Sequence, residues 1–167
     1  MKKFLVNLIL KLVPFTKLPN VVNKLFIVIG VKIGENTRVF SSVRVIGDVS
    51  VNIGNNTTIG HETLLIGGPD SIISIGDDCA ISTRVSIVTG THELDFYGKC
   101  SAGTNMCRSI TIHDGVWIGF GTNILPGVTI GKKSIIGAGS NVVNDIPPYS
   151  IAVGNPCKVI RIFNVKK

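Results

Sequence analysis

At 167 residues, 44% of them hydrophobic, the chain suits one compact domain with a real core. Its net charge of +7 points to anionic ligands or surfaces, but no basic block is interleaved with aromatics, so nucleic acid is not an expected partner. Few aromatics (6%) beside 19 glycines fit a β-solenoid better than a β-sandwich.

The chain opens on Met1-Lys2-Lys3 and an apolar run from Phe4 to Val13, which imitates a signal peptide. Lys11 interrupts that run, Pro14 follows without a small-residue cleavage site, and the run is too short to span a bilayer. Phe4, Leu5, Leu8, Ile9 and Leu12 fall on one face of a helix. With a second apolar segment, Val21 to Val31, this predicts a helical, apolar N-terminal cap over 1–32 that covers the bottom of the solenoid. Peripheral membrane association through a basic amphipathic face is the competing reading.

From Ile33 onward an aliphatic residue returns every six positions: Ile33, Val39, Val45; Ile53, Ile59, Leu65; Ile75, Ile81, Ile87; then Ile112, Ile118, Ile124, Ile130, Ile136 and Val142. Six is neither the 3.6 of an amphipathic helix nor the bare 2 of an ordinary strand, and it marks a solenoid. Three hexads make one triangular coil whose aliphatics point inward. Stacked coils set parallel strands about 4.8 Å apart, each inward residue on its equivalent one coil away. Five coils are predicted, beginning near Ile33, Ile53, Ile75, Ile112 and Ile130. Glycine follows the aliphatic at Gly34, Gly54, Gly60, Gly76, Gly119, Gly131 and Gly137, where it is expected to relax the backbone near a corner. Four positions after the aliphatic sits a small or β-branched residue, such as Thr57, Cys79, Thr122 or Ser134, which fits the crowded turn.

The ladder slips three times. Val45 to Ile53 spans eight positions rather than six, Leu65 to Ile75 spans ten, and Ile87 to Ile112 spans twenty-five. The last makes an extended loop over 91–110, through His92, Glu93 and Asp95 to Cys107 and Arg108. A long excursion from a rigid scaffold is where function is usually placed; a tolerated surface insertion is the plainer alternative. Cys79 takes a corner position, Cys100 and Cys107 lie in the loop without metal-type spacing, and Cys157 is near the C-terminus. That pattern implies a reduced, cytoplasmic protein, with a Cys100–Cys107 bridge left open.

The segment reading ITIHDGVWIGFGTNILPGVTIGKKSIIGAGSNVVNDIPPYSIAVGNPCKVIR, which ends at Arg161, together with Thr91-His92-Glu93, resembles the hexapeptide-repeat acetyltransferases. The likeness is to the sugar and polysaccharide O-acetyltransferase branch, with its galactoside, maltose and nodulation-factor enzymes. It implies an all-β solenoid, a left-handed parallel β-helix of about five coils over 33–147, followed by a C-terminal tail over 148–167. The left hand comes from the resemblance, because spacing cannot show it and most parallel crossovers are right-handed. The resemblance also implies a homotrimer with acetyl-CoA as co-substrate in the groove between prisms, the long loop completing a neighbour's site, and no metal.

Acetyl transfer to a hydroxyl needs a base beside it, and histidine is the residue type whose charge change falls near working pH. By the resemblance His92 is that base, taking the acceptor's proton and returning it to the departing thiolate, with no covalent acetyl-enzyme. Either Glu93, Asp95 or a backbone carbonyl could orient the ring. Phe120, Ala138, Val143 and Asn144 match positions along the pantetheine, and Lys158 and Arg161 match cations that meet the CoA phosphates. Phe120 replaces a smaller residue and Asn144 a frequent lysine, so the cofactor groove is expected to differ there. Trp117 points away from the inward ladder, toward a partner, a ligand or solvent.

The acceptor asparagine of the galactoside and maltose enzymes finds no match, and their N-terminal sugar-binding segment is replaced by the apolar cap. Both departures favour a saccharide of surface-polysaccharide synthesis over a simple galactoside. An amine or xenobiotic acceptor, and a purely structural solenoid, are the alternatives. A zinc carbonic anhydrase on the same scaffold needs three converging histidines. Here only His61, His92 and His113 are available, and His61 and His113 are expected to face solvent.

Overall fold

The computed structural model describes residues 2–14 and 17–165, so Met1 of the cap and Lys166 and Lys167 of the tail lie outside the described residues. Three parallel sheets form a prism. Face A stacks Lys32–Ile33, Ser50–Ile53, Ile72–Ile75, Ile110–Ile112 and Thr129–Ile130. Face B stacks Arg38–Val39, Thr58–Ile59, Ala80–Ile81, Trp117–Ile118 and Ile135–Ile136, and ends on Ser150–Val153. Face C stacks Arg44–Gly47, Leu64–Gly67, Ser86–Val88, Asn123–Ile124 and Asn141–Val142.

The register is the predicted one, with Ile33 on Ile53, then Ile75, Ile112 and Ile130. The fold is a left-handed parallel β-helix of five coils. Ile59, Ile118, Ile124 and Ile130 have no exposed surface, and burying one such side chain contributes about 1.5–3 kcal/mol.

The fourth-position residues are buried, and their hydroxyls do more than fit a tight corner. Thr37 Oγ1 donates to the Gly54 carbonyl at 2.6 Å and accepts the Thr57 N–H at 3.0 Å. One coil up, Thr57 Oγ1 donates to the Gly76 carbonyl at 2.9 Å and accepts the Cys79 N–H at 3.0 Å. Corner backbone groups that no strand ladder reaches are thereby paired.

The glycines that follow the aliphatics serve a purpose different from the expected one. A Cβ on Gly54 would lie 2.7 Å from the Gly76 carbonyl carbon, and one on Gly119 would lie 2.5 Å from the Ala138 nitrogen. Glycine is required there because the next coil's backbone passes too close. Positive φ falls two residues later, at Asn36, Asn56, Asp78 and Lys133.

At the base, helix α1 (Lys2–Leu10) packs against helix α2 (Pro19–Val28), which packs on the first coil. Pro19 suits the first turn of α2, where an N–H has no helical partner. Asn23 stands in for a missing strand at the open edge of face B. Its Nδ2 donates to the Thr37 carbonyl at 2.7 Å, and its Oδ1 accepts the Val39 N–H at 3.3 Å. The apolar side of α1 singled out in the sequence does not face the prism. Val6 and Leu10 are buried, whereas Phe4, Leu5, Leu8, Ile9 and Leu12 are exposed. Both sides of the segment are apolar, and the inward one joins the core cluster with Val22 and Phe26 of α2. At the other end, Lys158–Ile162 turns back antiparallel along Ser150–Val153.

Candidate functional site

The prism has three edges, and the chain's irregularities gather on one of them. All three slips of the ladder fall where face C turns into face A: Asp48–Val49, Gly68–Ser71, and the long excursion between Val88 and Ile110. That excursion is an antiparallel hairpin, Gly90–Leu94 against Ala102–Cys107, with Gly90 opposite Cys107 and Leu94 opposite Ala102. Cys107 therefore sits at the hairpin's base, while Cys100 lies in its tip. Both are free thiols, as are buried Cys79 and Cys157, whose pKa values burial raises.

His92 is exposed on the outgoing arm of the hairpin, opposite Asn105. Its Nδ1 lies 3.2 Å from the Gly103 carbonyl oxygen. Of the orienting groups considered, the backbone carbonyl makes the contact. The Asp95 carboxylate instead accepts from the N–H groups of Tyr97 at 2.9 Å and Gly98 at 2.8 Å, and these bonds hold it below the usual carboxylate range. With Thr91, Gly68, Pro69, Asn105 and Met106, His92 lines a cleft of about 330 Å³ between the hairpin and the preceding insertion.

The cofactor positions divide between two edges. Phe120 and Ala138 stack on successive coils where face B turns into face C, tied by the Gly139 N–H donating to the Phe120 carbonyl at 2.8 Å. Val143 and Asn144 lie on the C-to-A edge with His92, further up the prism. Lys158 and Arg161 are exposed on the returning strand, where the Arg161 guanidinium stacks 4.5 Å from the Phe163 ring. The two edges lie at opposite ends of the face-C strands. One chain therefore does not bring His92 to Phe120 and Ala138.

Sequence reasoning missed a second cavity, of about 320 Å³, on the B-to-C edge below Phe120. His61 lines it half-buried, not simply facing solvent. Its ring lies 4.1 Å from that of Phe40, and its Nδ1 is 3.2 Å from Ser42 Oγ. Glu62 and Arg84 also line this cavity and form an ion pair at 2.5 Å. The signal was available in the period, because counting two residues past Ile59, Ile81, Ile118 and Ile136 puts His61, Thr83, Phe120 and Ala138 in one column. The Arg108 side chain lies elsewhere, over Gly127 on the C-to-A edge.

A larger cavity, about 520 Å³, belongs to neither group. It lies on the A-to-B edge between His113, Lys132 and Pro147, so size alone does not locate the chemistry. His61, His92 and His113 occupy three different edges, and within one chain they do not converge. Among the described residues no group of three or more His, Cys, Asp or Glu could hold a metal ion.

Residues 109–144 match the family described as bacterial transferase hexapeptide (six repeats). The chain is 31% identical to a solved galactoside acetyltransferase in complex with coenzyme A, covering 98% of this chain and 81% of that one with a TM-score of 0.64. It is 37% identical over 136 residues to the galactoside O-acetyltransferase of Escherichia coli, which is 79% of this chain and 64% of that one. AntD, an N-acyltransferase of Bacillus cereus solved with dTDP and 3-hydroxybutyryl-CoA, aligns at 26% identity and a TM-score of 0.70, over 82% of this chain and 74% of that one. The coiled prism with its edge hairpin defines the class, a hexapeptide-repeat β-helix. The chain belongs to the bacterial transferase hexapeptide family. It spans about half the length of the first curated relatives it matches, at 44%, 58% and 55%.

Proposed function

We propose that this protein is an acetyl-CoA-dependent O-acetyltransferase that acetylates a sugar hydroxyl, in the cytoplasm, during surface-polysaccharide synthesis. The observation that carries this reading is the His92 imidazole, presented at the mouth of a cleft with Nδ1 against the Gly103 carbonyl. A carbonyl only accepts, so Nδ1 holds the proton and Nε2 is left with a lone pair. Nε2 takes the acceptor hydroxyl's proton as that oxygen bonds to the thioester carbonyl carbon. The carbon–sulfur bond breaks, and the imidazolium returns the proton to the thiolate. The coenzyme-A complex of the galactoside enzyme, similar to this chain over nearly its whole length, supports the donor.

The full site is assembled by a homotrimer, in which the C-to-A edge of one prism faces the B-to-C edge of the next. His92 then comes from one chain and Phe120 with Ala138 from its neighbour, along a groove that takes the pantetheine. The edge column from Phe120 to Ala138 carries no charge, which suits that uncharged arm. Lys158 and Arg161, exposed on the returning strand, meet the phosphates, where cations offset their charge. The half-buried His61 imidazole, the Ser42 hydroxyl and the exposed Glu62–Arg84 ion pair of the second cavity suit a polar acceptor more elaborate than a galactoside. The likeness to AntD favours a second reading, an amine on a nucleotide-linked sugar as acceptor.

Acetyl transfer from acetyl-CoA should be measured against a panel of free, nucleotide-linked and amino sugars, with His92→Ala alongside. The variant should lose about 100-fold or more in turnover while coenzyme A binding by calorimetry is unchanged. Equal turnover by the two proteins would remove His92 as the base. Transfer only to amino sugars would select the second reading.

A further inference from the structure

Helix α1 is apolar on both sides. Val6 and Leu10 are buried in the core cluster at the base, while Phe4 on the opposite side is 74% exposed and Leu12, in the turn that follows the helix, 83% exposed. Leu5, Leu8 and Ile9 continue that outward surface, and Leu18, Val21 and Val28 are also exposed at this end of the prism. A helix apolar all round belongs in a protein core or against a membrane. Among the described residues no helix is long and apolar enough to cross a bilayer, so α1 would lie in the interface and not span it.

Charge identifies what the surface meets. Lys2, Lys3, Lys11, Lys17, Lys24 and Lys32 all precede Glu35, the first acidic residue of the chain. Lys11, Lys17, Lys24 and Lys32 are exposed. An apolar strip with basic residues and no acid fits acyl chains bordered by anionic headgroups. A second copy of this end is disfavoured as the occupant, because pairing two lysine-rich, acid-free surfaces brings like charges together with nothing to offset them.

We propose that the base of the prism docks on the anionic surface of a phospholipid bilayer. Helix α1 lies in the plane of the membrane with Phe4, Leu8 and Leu12 among the acyl chains, and Lys11, Lys17 and Lys24 sit at the phosphates. The anchor is independent of the acetyl-transfer site, which lies on the edges of the prism above it.

The test is co-sedimentation of the full-length protein with vesicles of phosphatidylcholine alone and of phosphatidylcholine with about one third phosphatidylglycerol. Uptake should be about tenfold or more greater on the anionic vesicles and fall steeply in about 0.5 M NaCl, where screening shortens to a few ångströms. The triple variant Phe4→Ser, Leu8→Ser, Leu12→Ser replaces only exposed side chains. It should keep its thermal midpoint and circular dichroism and lose vesicle binding. No uptake of the wild type on anionic vesicles overturns the proposal, as does uptake by the triple variant equal to wild type. If the triple substitution lowers the mass seen in sedimentation equilibrium and neither protein binds vesicles, the surface joins copies of the chain and the proposal falls.

Discussion

His92 Nδ1 meets the Gly103 carbonyl oxygen at 3.2 Å across the two arms of the hairpin, so a backbone group on one arm sets the tautomer of a side chain on the other. Gly103 lies where the register of the two arms shifts, between the His92–Asn105 and Leu94–Ala102 pairs, and its carbonyl is the group that meets the ring there. A Cβ on Gly103 would sit 3.1 Å from the Glu93 carbonyl oxygen, which keeps this crossing narrow.

The tautomer can be read directly. In long-range proton–nitrogen correlation spectra, the neutral His92 ring should carry its proton on Nδ1, with Nε2 showing the shift of an unprotonated nitrogen. His113, which is exposed, supplies the internal comparison. An Nε2–H ring at His92 would mean that Gly103 does not orient it and that the assigned base lacks its lone pair in the resting protein.

The separation of the two edges gives a prediction about assembly. His92→Ala and Ala138→Trp should each be inactive as homo-oligomers, the second because a bulky side chain fills the groove. Refolded together in equal amounts they should recover about a quarter of wild-type activity, since that fraction of subunit interfaces pairs an intact His92 with an intact Ala138. No recovery would show that the site is contained within one chain.

The coil register was legible before any coordinates because each inward aliphatic can only stack on another, which makes the period a direct record of packing. Ile33, Ile53, Ile75, Ile112 and Ile130 follow it without exception. Two other features resisted reading for opposite reasons. The glycines after the aliphatics look like turn residues, but what excludes a Cβ is the backbone of the next coil, a contact twenty or so positions away in sequence. In α1 both sides are apolar, so the pattern Phe4, Leu5, Leu8, Ile9, Leu12 could not say which side turned inward. Of the candidate site, the sequence offered His92 as a residue but not what its ring meets. Its partner is a backbone atom, and a sequence carries no mark of which carbonyl a ring will meet. The column His61, Thr83, Phe120 and Ala138 was countable but only gains meaning once the edge is seen to hold a cavity.

Acid should loosen the hairpin's tip before the prism. The Asp95 carboxylate is held below its usual range by the N–H groups of Tyr97 and Gly98. A lowered folded pKa means that the ionised form favours the ordered tip. This contribution is fully present above the ordinary carboxylate value near pH 4 and is lost as pH falls through the folded value. Hydrogen exchange at the Tyr97 and Gly98 amides, corrected for intrinsic rates, should lose protection over that range. Asp95→Ala should show low protection at every pH. Unchanged pH dependence in that variant would assign the transition to another group.

Thr57 separates a hydroxyl's bonding from its volume. It is fully buried, donates to the Gly76 carbonyl at 2.9 Å and accepts the Cys79 N–H at 3.0 Å. Valine has the same shape, and Val116 fills the equivalent corner of the fourth coil, so space is not at issue. Thr57→Val would leave a buried carbonyl and a buried N–H without partners, at about 1–3 kcal/mol each. Because each coil is held mainly by its neighbours, the loss falls on the whole contact between the second and third coils. The expected destabilisation in urea is therefore about 2–6 kcal/mol. Thr58→Val, one residue on and exposed on face B, should stay within about 0.5 kcal/mol of wild type. Equal urea midpoints for the two variants would mean that the corner hydroxyls only fill space and that the column of bonds contributes nothing to joining the coils.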